Sequence, residues 1–145
     1  MRIADVCTRI DDAVAVAALI KAIVAMLIKL RRNNQSWRAY RQHHVVENKW
    51  RAIRYGTEGK LIDFGLQTEI PFSDLTDELV ELCSDVAGDL GSGSEVEHIS
   101  TIVRRGTSAH RQCRVYEAAL SDGKSDEYAL HAVADYLAKD TLVGL

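Results

Sequence analysis

From Ala13 to Leu30 every residue is apolar except Lys21 and Lys29. No glycine or proline interrupts the run, and strands are rarely so long, so it commits the chain to one long helix. Asp11 and Asp12 stand before it, and Lys29, Arg31 and Arg32 close it. An aspartate there can cap the helix start, and charges placed this way suit the helix dipole at both ends. A membrane span needs about 20 apolar residues, and each charge inside it costs about 3 kcal/mol. The two lysines share a side, so the run reads as a buried central helix with one narrow polar stripe, not as a span. A helix apolar nearly all round must be covered on several sides, and self-association is one way to cover it. No small-residue cleavage site follows, which excludes a signal peptide.

The 145 residues are read as a single domain over 1–145. Such a chain buries roughly two-thirds of its unfolded surface, enough for a core without staples. A net charge of −3 argues against nucleic acid as a partner. Cys7, Cys83 and Cys113 are odd in number and widely spaced. They form neither a disulfide framework nor a zinc pattern, and they fit a reducing, cytoplasmic setting with buried structural thiols. A single proline and abundant alanine, leucine and valine point to a mostly α fold. The expectation is a helical bundle with one or two short β elements, near residues 2–6 and 60–64.

Along the chain, Asn33 to Ser36 reads as a turn, with Trp37 and Tyr40 anchoring the loop after it. Gly65 to Pro71 is expected to be a connector, and Ser73 to cap a helix from Asp74 to Ala87. Ser94 with Glu97 has the pattern of a capping box, and Thr107 or Ser108 can cap the helix that ends near Asp122-Gly123. Ser125 can cap the last helix.

The densest chemistry lies in Glu47-Asn48-Lys49-Trp50-Arg51-Ala52-Ile53-Arg54-Tyr55-Gly56. On a helix, Glu47, Arg51 and Arg54 share a face, while Val46, Trp50 and Ile53 fall on another that can be buried. Two guanidiniums facing one way suit phosphate or carboxylate oxygens; the plain alternative is a solvated ion-pair face. Gly56 is a plausible left-handed cap. Arg105 and Arg111 flank the start of a later helix, where free N–H groups favour anions; the alternative is a capped helix with surface arginines. His43 and His44 are adjacent and diverge; His43 and Glu47, four apart, could share an ion, but two ligands make an incomplete site, and an ordinary hydrogen-bonded histidine is the alternative.

His43-His44-Val45-Val46 with ENKWRAIRYG and then Gly59-Lys60-Leu61-Ile62-Asp63-Phe64 resembles the carboxylate–amine ligase family, of the bacterial glutamate–cysteine ligase type. Met1 to Ala13 resembles its ExRIxDxxTxxDDA segment. Arg105 to Gln112 resembles its RGTxAxRQ turn, and Ala132 to Leu137 its closing helix. The resemblance covers the C-terminal region only. It implies part of a glutamine-synthetase-like α+β fold, with Met1 standing just after the glutamate of the ExR pattern. It also implies Mg-ATP as cofactor of the intact family and none for this chain in isolation. The candidate substrate- or phosphate-binding residues are then Arg2, Glu47, Asn48, Arg51, Arg54, Arg105 and Arg111, with no catalytic residue and no metal ligand assigned. The function implied is the C-terminal portion, or a truncated relative, of an ATP-dependent ligase that is inactive alone. Its partner would be a missing N-terminal ligase half or a second copy, with no membrane. The alternative is a non-catalytic helical assembly module.

Overall fold

A computed structural model describes residues 6–37 and 39–143. Six helices and one hairpin follow in order among them. They are α1 (Ile10–Arg32), α2 (Gln42–Tyr55), a 3-10 turn (Gly56–Glu58), β1 (Lys60–Asp63), β2 (Thr68–Pro71), α3 (Phe72–Asp89), α4 (Gly93–Arg105), α5 (Ser108–Ser121) and α6 (Asp126–Thr141). The mostly α expectation holds, and β1 falls where a strand was expected. The expected element at residues 2–6 lies almost wholly outside the described residues.

β1 and β2 pair antiparallel, with Lys60 opposite Pro71 and Asp63 opposite Thr68. The expected connector from Gly65 to Pro71 is therefore half strand. The Asp63 side chain fixes the reversal: its Oδ1 accepts from the N–H of Gly65 at 2.6 Å and of Leu66 at 2.9 Å. The Phe72 N–H then donates to the Gly59 carbonyl at 3.0 Å, so the chain passes from strand directly into α3. That is why Pro71, and not Ser73, precedes α3; the Ser73 hydroxyl donates to Asp74 instead. Ser94 likewise does not cap α4, which starts at Gly93 with Ser92 before it. The Ser92 N–H is already used on the Ala87 carbonyl, closing α3. Thr107 and Ser125 do cap α5 and α6: Thr107 shares a capping box with His110, and Ser125 accepts from the Tyr128 N–H.

α1, α3 and α4 pack on one another. Their shared core holds Ala18, Ala22 and Met26 of α1, Cys83, Val86 and Ala87 of α3, and Val96 of α4. Small side chains let the helix axes approach closely, which offsets the loss of bulk with tighter packing. Burial raises the Cys83 thiol above its ordinary pKa. Cys113, by contrast, is exposed, so the three thiols are not uniformly structural.

The expectation that α1 is covered on several sides is not met. Its inward face is Ala15, Ala18, Ala22 and Met26, whereas Ile10, Val14, Val24 and Ile28 are 41–53% exposed. By length and composition α1 could cross a membrane. Asp11 and Asp12 lie inside its first turn, after Arg9, so neither caps it. On α2 the apolar residues Val46, Trp50 and Ile53 are also exposed, at 53%, 52% and 75%. The face meant for burial therefore points outward, because the opposite face is spent on polar bonds to the hairpin.

Candidate functional site

Two polar assemblies hold the chemistry-bearing residues. In the first, α2 is pinned to β1 by one amide. Asn48 Nδ2 donates to the Ile62 carbonyl and its Oδ1 accepts from the Ile62 N–H, both at 2.8 Å. This pairing satisfies the two free backbone groups of an edge-strand residue, as another strand would. One turn later Arg51 Nε donates to Glu47 at 2.8 Å and Nη1 to Glu69 of β2 at 2.8 Å. Those two bonds hold the guanidinium above its ordinary pKa. Arg51 is thus a strap between helix and hairpin. Arg54 does not join it: its guanidinium lies 5.8 Å from the Tyr55 ring, and it forms no ion pair among the described residues. The two arginines expected to face one way diverge.

His43 and His44 do not diverge as expected. Their rings meet edge-on with centroids 4.1 Å apart, and His44 stacks on Phe64 at 5.0 Å. Tyr40 also packs against Phe64 at 4.9 Å, so the loop before α2 is anchored by aromatics as expected.

The second assembly surrounds Asp12 in the first turn of α1. Its carboxylate is buried and accepts both oxygens' worth of hydrogen bonds from Arg105 Nη2 at 2.8 Å, plus His98 Nε2 at 2.9 Å. Arg111 stands 3.6 Å away and reaches Asp140 at 3.2 Å, the Tyr136 hydroxyl at 2.8 Å and the Gly106 carbonyl at 3.3 Å. Arg9 closes the ring onto Asp140 at 2.8 Å. Burial pushes the Asp12 carboxyl up, but the bonds from His98 and Arg105 and the nearby arginine charges outweigh it. The result lies below the usual carboxylate range. The bond to Asp140 raises Arg9. Beside this ring, the hydroxyls of Thr8 and Ser108 are hydrogen-bonded.

Arg105 and Arg111 are therefore neither surface arginines nor a free anion site. They are turned inward onto carboxylates, and they join α1, α4, α5 and α6 at one end of the bundle. The two assemblies meet at Gly56 and His110. Gly56 has φ 59° and ψ −146°, outside the left-handed helical region expected of its cap and open in practice only to glycine. A Cβ there would sit 3.5 Å from the His110 ring. His110 Nδ1 is committed to the Thr107 capping box, and Nε2 lies 3.9 Å from Glu58.

Of the sequence candidates, Glu47, Asn48 and Arg51 come together at the hairpin. Arg105 and Arg111 come together around Asp12, Arg54 stands apart, and Arg2 lies outside the described residues. Glu69, His98, Tyr136 and Asp140 were not singled out in the sequence; they pair at separations of 18 to 131 residues, where no local pattern marks them.

Comparison with known proteins points to the same family as the resemblance. Over all 145 residues the chain is 50% identical to a protein of Rhodospirillum rubrum that bears the provisional name glutamate–cysteine ligase 2, covering 37% of it. It is 44% identical to a protein of the same name from Sorangium cellulosum and 42% to one from Herpetosiphon aurantiacus, covering 36% of each. The chain thus spans little more than a third of the length of these curated relatives. The sequence profile of glutamate–cysteine ligase family 2 matches residues 1–134, and the chain belongs to that family.

Proposed function

We propose that this chain supplies the C-terminal portion of an ATP-dependent carboxylate–amine ligase, similar to glutamate–cysteine ligase, and that it is inactive without the remaining portion. The observation that carries this reading is the alignment: all of the chain matches relatives of which it covers 36–37%. The geometry agrees. Ligation through an acyl phosphate needs uncommitted cations around phosphoryl oxygens. Here Arg51 is held by Glu47 and Glu69, Arg105 by Asp12, and Arg111 by Asp12 and Asp140. The described residues do not by themselves fit Mg-ATP, and no chemical step is assigned to them.

In this reading Glu47, Asn48 and Arg51 set the position of α2, and Arg105 and Arg111 set that of α5. Arg54 and Arg2 are the candidates left to touch an anionic substrate group. The free thiols of Cys83 and Cys113 support a cytoplasmic setting. The buried Asp12 pairs and the packed alanine face support α1 as a packing helix and not a membrane anchor. The rival reading, a non-catalytic assembly module, draws on the same committed arginines and on the exposed aliphatic face of α1.

A chimaera separates them: this chain replaces the aligned portion of the Rhodospirillum rubrum relative, and dipeptide formation from glutamate and cysteine with ATP is followed. Activity at the parent's level, with none from the isolated chain, is the expected outcome. A well-folded chimaera that hydrolyses no ATP beside an active parent would favour the module.

A further inference from the structure

Two helices of this chain turn an apolar stripe outward. α1 packs Ala18, Ala22 and Met26 into the core with Leu19 and Ile23 against it, yet Ile10, Val14, Val24 and Ile28 project outward at helical spacing. Around α2, the inward residues Asn48 and Arg51 are polar, while Val46, Trp50 and Ile53 project outward. α2 contains no buried residue at all. An apolar stripe normally faces a core, so both stripes face a core that the described residues do not supply.

The total surface gives the same answer. The chain exposes 10239 Å², whereas a monomer of 16.1 kDa exposes about 7,400 Å². The eight residues outside the described set do not close that gap: at roughly 200 Å² apiece they leave about 1,200 Å² over. That remainder exceeds the ~800 Å² that one partner gives to a standard interface.

We infer that the outward stripes of α1 and α2 are docking surfaces for the larger, N-terminal portion of a ligase of this family, and not for a second copy of this chain. The inference rests on the functional reading above. Two observations choose the occupant. Nearly two-thirds of the Rhodospirillum rubrum relative lies outside the alignment, so a polypeptide large enough to cover both stripes accompanies this region there. Lys21 lies on the outward stripe of α1 at the middle of Ile10–Arg32. A two-fold pairing of α1 with itself over its full length, parallel or antiparallel, therefore sets Lys21 against its own copy. Like charges in an interface are repulsive, whereas a different polypeptide can meet Lys21 with a carboxylate.

Hydroxyl-radical footprinting, read by mass spectrometry on the peptides holding Val24, Ile28, Trp50 and Ile53, tests this in the isolated chain and in the chimaera. Oxidation of these residues is expected to fall severalfold in the chimaera, while exposed residues elsewhere, such as Tyr128, keep their rate. Trp50→Glu should leave the circular dichroism of the isolated chain unchanged and lower the melting temperature of the chimaera by several degrees. An active chimaera with Trp50 and Val24 as reactive as in the isolated chain would overturn the surface and leave the functional reading standing. An inactive chimaera with no protection would remove both. Protection that appears in the isolated chain as its concentration rises would name a second copy as the occupant and overturn the inference.

Discussion

Asp12 accepts from His98 and Arg105 and faces Arg111 while almost wholly buried. Replacing it by alanine strands the Arg105 guanidinium near the core, while Arg111 keeps Asp140, and breaking a buried pair from one side costs about 3–5 kcal/mol. Urea denaturation of Asp12→Ala should show a loss of that size; a loss under 1 kcal/mol would mean that the ring is incidental. The sign of its pH dependence follows from the lowered carboxyl. The unfolded chain takes up the Asp12 proton at a higher pH than the folded one. The contribution is therefore complete above about pH 4 and is lost as the pH falls through the folded value. The stability gap between the native chain and Asp12→Asn should accordingly be constant from pH 7 to 5 and shrink below pH 4.

The seat of α2 on the hairpin depends on an amide more than on an ion pair. Asn48→Ala leaves the Ile62 N–H and carbonyl without partners, a cost of about 1–3 kcal/mol, and should speed hydrogen exchange at Ile62. Arg51→Ala removes half-exposed pairs that solvent screens and should leave that exchange nearly unchanged. If Arg51→Ala proved the more damaging, the strap would matter more than the pin. At the α4–α5 corner, Gly106 has φ 93°, and an added Cβ would sit 2.8 Å from Arg114 Nη2 and 3.2 Å from His110 Cβ. Gly106→Ala should cost about 1–3 kcal/mol by thermal unfolding, since both backbone and neighbours oppose it.

The elements read best from sequence were those with local causes. The apolar run gave α1, Thr107 and Ser125 marked their helix starts, and the four-residue spacing of Glu47 and Arg51 gave their pair. β2 was missed because its Thr-Glu-Ile-Pro has no strand signature; the Asp63 turn and the pairing with β1 make it a strand. Ser73 and Ser94 looked like caps, but backbone bonds from the preceding elements had already fixed those helix starts. The Asp12 ring was unreadable because its partners lie far along the chain. The outward stripes were misread as buried, since sequence shows that a face is apolar and not which polypeptide covers it.

Taken together, the molecule is a set of helices in which Arg9, Arg51, Arg105 and Arg111 are committed to its own carboxylates and α1 and α2 each carry an exposed apolar stripe. It belongs to glutamate–cysteine ligase family 2, spans about a third of the length of the curated relatives it matches, and exposes two apolar stripes. The most direct test is a thermal-shift titration of the isolated chain with Mg-ATP, with and without glutamate. Ligand at a hundred times Kd would stabilise a formed site by about 2.7 kcal/mol, which for a chain of this size is a shift of several degrees. The account predicts no saturable shift at millimolar ligand for the isolated chain and a clear one for the chimaera. A saturable shift in the isolated chain, lost in Arg51→Ala, would show that a nucleotide site is already complete here and would contradict it.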